Sequence, residues 1–137
     1  MEGADVRGLQ ASEGADFTEA NFRRVKGGGS IWEESTLDKA DFSGAELGRA
    51  LFSDSSLKEA KFLCANLHDA NFEDSCLDGA VLKEANLLRA SFERASLIGT
   101  DLSGTNLYGS SFWEAKTLNT NVYRANLKNA TRPKAHD

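Results

Sequence analysis

Few side chains in this chain have types and spacing that suggest chemistry. His68 is followed directly by Asp69, a pair that could act as a general base and its orienting carboxylate. Such a pair needs a nucleophile and a concave pocket around it. Neither is legible, and the plainer reading is a solvated run of charge between Arg49 and Arg89. The two cysteines, Cys64 and Cys76, lack CxxC spacing and a nearby histidine pair, so no zinc site is expected. No P-loop, GxGxxG or HExxH stretch occurs. The expectation is a non-enzyme with no catalytic residue, no metal and no cofactor.

Composition narrows the class further. The net charge is −5 and the hydrophobic fraction 40%. An acidic surface disfavours direct binding to nucleic acid or anionic membranes. No apolar run reaches the length of a membrane span. The acidic N-terminus, Met1-Glu2-Gly3-Ala4-Asp5, lacks the apolar core of a signal peptide, so a cytoplasmic location is expected.

The elements that carry these residues follow a five-residue rule. From Ala15 onward a small residue, a polar residue, a large apolar residue and two variable residues recur without a slip, as in Ala60–Asp74. Let the centre be residue 17, 22, 27 and so on to 127. Every centre is Leu or Phe except Gly27, Trp32, Thr117 and Val122, and all eight Phe of the chain are centres. Two residues earlier stands Ala, Ser or Thr, with Val25 the one exception. A period of five would spiral the leucines around an α-helix and alternate them across a strand. A short fixed period instead marks a solenoid whose repeats share one core.

In these residues the chain resembles the pentapeptide-repeat proteins, whose pattern is roughly A(D/N)LXX, over about residues 15–131. The resemblance implies an all-β fold: a right-handed quadrilateral parallel β-helix, a solenoid of about six coils with four pentapeptides per coil. The centre and the small residue would point inward and the other three positions outward. Residues 1–14 read as an irregular N-terminal coil or cap, because the frame slips there by one. Residues 132–137 read as a disordered tail. The segment 25–30 reads either as a distorted coil, with Val25 and Trp32 filling the space left by Gly27, or as a looped-out bulge. At Thr117 a local bulge would turn Leu118 inward.

If coils stack at the spacing of paired strands, about 4.8 Å, residues 20 apart become vertical neighbours. Trp32, Phe52, Phe72, Phe92 and Phe112 then form one aromatic column, and Leu47, Leu67, Leu87, Leu107 and Leu127 a leucine column. Outward positions alternate in sign, as in Glu19/Lys39/Glu59, Asp38/Lys58/Asp78 and Arg49/Asp69/Arg89. Opposite charges on neighbouring strands stabilise weakly. In this frame both cysteines point outward on different sides, which predicts free thiols.

Two exterior features stand out. Beside the aromatic column lie Glu33, Glu34, Asp54, Glu73, Asp74, Glu93 and Glu114, with Arg94 as the only base. Stacked like charges destabilise, so this stripe suggests an anionic face for a basic protein partner. The plainer reading is a solvated side that keeps the rod soluble. The second feature is apolar: Tyr108, Trp113, Leu118 and Tyr123 occupy the same outward position on four successive pentapeptides. Exposed aromatics at one end suggest self-association as a homodimer. The alternative is shielding of the last coil.

The sequence therefore points to a scaffold or adaptor that binds a protein partner through a rigid β-helix face. The resemblance implies an alternative, because some relatives are acidic dimeric rods that occupy the DNA site of gyrase and protect it from quinolones.

Overall fold

A computed structural model describes residues 1–11 and 13–133. Of the tail expected at 132–137, residues 134–137 lie outside the described residues. From Asp16 onward each fifth residue forms a parallel bridge with the residue 20 positions later: Asp16 with Thr36, Asn21 with Asp41, Lys26 with Glu46 and Ile31 with Leu51. The same four columns then repeat to Ser111 and Thr131. The fold is a β-helix in which each pentapeptide supplies one bridged residue, one centre, two turn residues and, two before the centre, a residue that is small except at Val25; the centres are buried from Phe22 to Phe112.

The backbone explains why five residues suffice. In the pentapeptide of Leu47, the centre donates to Asn66 O in the next coil at 2.7 Å, and Arg49 N donates to His68 O at 2.8 Å. The bridged Glu46 N donates back to Val25 O at 2.9 Å. Ala50 N closes a β-turn onto Leu47 O at 3.0 Å. Only the residue directly after the centre lacks a backbone acceptor, here Gly48. The third residue of each such turn takes a positive φ, as in type II turns. Many of these residues are not glycine, among them Lys39 at 59°, Asp69 at 56° and Arg94 at 56°. Left-handed backbone costs an L-residue about 1–2 kcal/mol, so inter-coil bonds and core burial must offset it repeatedly.

The interior is filled by the centres. Trp32, Leu37, Phe42, Leu47, Phe52 and their successors up to Leu107 are fully buried, and so is most of the Ala, Ser and Thr column between them. The aromatic column stacks as the 20-residue spacing predicts: Phe52–Phe72, Phe72–Phe92 and Phe92–Phe112 centroids lie 5.0, 5.2 and 5.1 Å apart. A second column, Phe22, Phe42 and Phe62, stacks beside it at 5.0 Å. The two columns meet edge to face, with Phe42–Phe52 and Phe52–Phe62 at 84° and 89°. Both arrangements suit the aromatic quadrupole. Buried hydroxyls accept no isolation either: Ser75 Oγ donates to Phe72 O at 2.6 Å and Thr100 Oγ1 to Leu77 O at 2.7 Å.

Three expectations change. The segment 1–14 is not irregular in its first part: Asp5 pairs with Lys26 and Gln10 with Ile31, both in parallel, and Val6 is buried. These pairs are offset by 21 residues, so one extra residue between Ala11 and Ala15 breaks the sequence frame without breaking the stack. Of the two readings of segment 25–30, the looped-out bulge is overturned and the coil holds, though in regular register, because Lys26 and Ile31 keep the 20-residue spacing and Val25 and Trp32 are buried. Large and small residues simply trade places there. Val25 is fully buried at the usual small position, and Leu47, Val6 and Ser30 close in on Gly27, within 2.9–3.1 Å of where a Cβ would stand. Trp32 is anchored by its indole N–H, which donates to Ser30 Oγ at 2.8 Å. Thr117 provokes no bulge either. Lys116 and Asn121 stay in register, and Leu118 is 67% exposed.

Two glycine substitutions separate the core from the backbone. Gly27→Ala forces a Cβ against Leu47 at 2.9 Å and is expected to cost about 1–3 kcal/mol from overpacking. Gly99→Ala meets no atom within 4 Å but sits at φ +67°, so its cost, about 1 kcal/mol, is backbone strain alone. Urea unfolding of both variants checks the pair. Adding a Leu47→Ala change should recover stability in the first background and worsen it in the second.

Candidate functional site

The exterior is built from the two turn residues and the bridged residue of each pentapeptide. The stripe beside the aromatic column therefore places Glu33 and Glu34, Asp54, Glu73 and Asp74, Glu93 and Arg94, and Glu114 in vertical register. Arg94 changes its character. Its Nε and Nη2 bond Asp74 at 3.0 and 3.3 Å, and the guanidinium lies 3.7 Å from Glu73 and 3.8 Å from Glu93. Glu93 also accepts from Ser111 Oγ at 3.1 Å. The middle of the stripe is thus clamped, while Glu33, Glu34, Asp54 and Glu114 make no ion pair among the described residues. The acids are brought together, but only those away from Arg94 keep their charge unanswered. This clamp joins residues about 20 apart, and the stacking frame is the signal that finds it.

The mixed-sign columns behave unequally. Asp69 binds Arg89 through both oxygens, at 2.8 and 3.1 Å, and Arg49 makes no ion pair among the described residues. Lys39 reaches Glu59 only at 3.9 Å. Asp38 ignores the Lys58 ammonium and accepts from Lys58 N at 3.0 Å and Ser56 Oγ at 2.6 Å. Asp78 repeats this one coil pair later, accepting from Ile98 N at 3.0 Å and from Ser96 Oγ at 2.5 Å. His68 does not engage Asp69; its Nδ1 lies 3.0 Å from Asn66 Oδ1. Asn66, Asn86, Asn106 and Asn126 form a side-chain ladder at 3.1–3.4 Å.

Both cysteines are free thiols. Cys64 Sγ donates to Glu84 Oε2 at 3.6 Å. Desolvation, then the Glu84 carboxylate, pushes the Cys64 thiol up, and burial does the same for Cys76. Raised thiol pKa values work against nucleophilic chemistry.

At the C-terminal end, Tyr108 and Trp113 are about 40% exposed and Leu118 and Tyr123 67%. They ring one coil on four successive pentapeptides. Tyr108 Oη accepts from Asn129 Nδ2 at 2.8 Å, and Arg124 lies 5.3 Å from the Tyr123 ring centre. Among the described residues the core there opens into a pit of about 300 Å³ lined by Phe112, Thr117, Thr120, Val122, Leu127, Ala130 and Pro133. The polar centre Thr117 thus sits at the open end rather than in the closed core.

This architecture defines a class of protein, the right-handed β-helical repeat proteins. The chain belongs to the pentapeptide-repeat family: the family profile matches residues 35–74 and 75–114 in eight copies. A pentapeptide-repeat protein from the Arabidopsis thaliana thylakoid lumen is 36% identical, over 74% of this chain and 68% of that one, with a TM-score of 0.56. Trypsin-treated QnrB1, a plasmid-mediated fluoroquinolone resistance protein, shares the fold at 21% identity over 95% of this chain and 77% of that one, with a TM-score of 0.51. Among curated proteins no match to the chain is found.

The carboxylates give a pH test. Asp5 is held down to about 2, first by its side-chain hydrogen bond from Arg7, and Asp69 is lowered by the bond from Arg89. A depressed folded pKa adds stability above the ordinary carboxylate range, and that stability is lost as pH falls through the folded value. Acid titration followed by carboxyl-carbon NMR should show Asp5 with a midpoint near 2 and Asp69 below an exposed Asp. In Arg89→Gln, Asp69 alone should return to the ordinary range.

Proposed function

We propose that the protein is a non-catalytic scaffold or adaptor: a four-sided rod of about six coils that binds a basic protein partner through the acidic stripe. At the strand spacing such a rod is about 28 Å long. The observation that carries this reading is the unanswered charge of Glu33, Glu34 and Asp54, stacked on a side whose middle acids, Glu73, Asp74 and Glu93, are clamped by Arg94. A rigid wall holds these carboxylates in fixed register, so little ordering entropy is lost on binding. Nucleic acid and membranes are not partners in this reading.

A second reading is favoured by the acidic stripe together with the exposed ring Tyr108, Trp113, Leu118 and Tyr123: an acidic rod dimerised at its C-terminal end that occupies the DNA site of gyrase. Supercoiling assays separate the two. The scaffold reading expects no effect on gyrase, with or without a quinolone, at micromolar protein. It also expects a cross-linked protein partner that is lost in Glu33→Gln/Glu34→Gln/Asp54→Asn and kept in Trp113→Ala. Protection of gyrase, lost together with the dimer in Trp113→Ala, would replace it with the second reading.

A further inference from the structure

On the strip whose centres are Gly27, Leu47 and Leu67, the outer wall sinks into a trough of about 220 Å³. Arg7 and His68 stand at its two ends, and Lys26, Glu46 and Arg49 along its flanks. Its open floor is Gly28, in the position directly after the centre, and the corresponding Gly48 lies under the His68 ring. Neither glycine has a positive φ, and a Cβ on Gly28 would meet only Gly48 O at 3.7 Å. The fold does not require a glycine at 28, yet the backbone there is bare.

The bare N–H is also unpartnered. Elsewhere on this strip an Asp or Asn two residues earlier caps the corresponding N–H: Asp5 caps Arg7 at 3.1 Å, Asn86 caps Leu88 at 3.3 Å and Asn106 caps Tyr108 at 3.2 Å. Lys26 and Glu46 occupy those capping places in the two glycine coils. Gly28 N therefore has no acceptor within the described residues, and it is exposed. Gly48 is buried, with the His68 ring lying across it. The surrounding charge is positive. Asp5 occupies Arg7 at 2.5 Å, and Lys26 and Arg49 make no ion pair among the described residues, with Glu46 opposing one of them.

We propose that this trough binds a carboxylate. One oxygen accepts from Gly28 N–H, and Lys26 and Arg49 meet the charge. The local balance of about one positive charge suits a monoanion better than a phosphate dianion, and a planar carboxylate can span a backbone donor and a guanidinium. The group could belong to a free small acid or to the end of a peptide chain. The inference does not depend on the acidic stripe.

The test is an ¹⁵N NMR titration of the full chain with sodium acetate, against sodium chloride at matched ionic strength. A short peptide with a free C-terminus and its amidated form serve as further probes. The Gly28 amide should shift and saturate with acetate but not with chloride. Acetate and peptide binding alike would point to a free acid; tighter binding of the free-ended peptide alone would point to a chain end. Two variants of equal charge isolate the N–H. Lys26→Gln removes the cation and should weaken binding a few-fold. Lys26→Asn also supplies the missing cap and should weaken it roughly tenfold more, the scale of a charge-assisted hydrogen bond. Equal loss in the two variants, or a linear response to acetate, would overturn the proposal.

Discussion

The structure depends on one steric constraint: a narrow interior that large centres must fill without voids and small residues between them must close. A bulky centre and a small neighbour two residues earlier are two halves of one volume. Where they trade places, as at Val25 and Gly27, neighbouring coils close in on the remaining space and the wall continues. Interiors packed to crystal density tolerate exchange of this kind better than net gain or loss. The hydrogen-bond ladder between coils follows from that filling, because it requires each coil to lie flat on the next.

The same constraint divides the chain into an interior that fixes shape and an exterior that is free to vary. Turn residues at positive φ run from Gly to Glu, Lys, Arg, Asn and Cys, so local backbone preference is overridden by the stack. That freedom makes the outer layer the place for function. It produces opposite surfaces from one repeat: a stripe of acids partly clamped by Arg94, and a trough where glycine exposes the backbone among cations. Each is defined by residues 20 apart in sequence, and neither has a local motif.

Much of the architecture was legible beforehand because it rests on two periods. The five-residue frame identified the buried centres, and the 20-residue spacing identified the column from Trp32 to Phe112. The same spacing places Phe22, Phe42 and Phe62 in a second column, but its edge-to-face contact with the first depends on ring orientation, which spacing does not carry. The paired N-terminal segment was hidden by a single extra residue, which breaks a sequence frame completely but a stack hardly at all. At Gly27 a glycine run is compatible with a loop or a coil; the compensating Val25 is legible two residues earlier, whereas the approach of Leu47 and Val6 lies across coils. In sequence the exterior forms columns of alternating sign, but which partners meet depends on side-chain reach. Asp69 chooses Arg89 over Arg49, and Asp38 prefers backbone and hydroxyl donors to a lysine.

Backbone hydrogen exchange tests the continuous stack most directly. The amides of the centres donate to the next coil, Gly27 and Trp32 among them, at 2.7 Å each to Glu46 O and Leu51 O. Their protection should match that of Leu47 and Phe52, and should fall only towards the open end at Thr117 and Val122. Exchange of residues 25–30 at the rate of an unstructured chain, with protection resuming at Trp32, would contradict a single core running through the glycine segment.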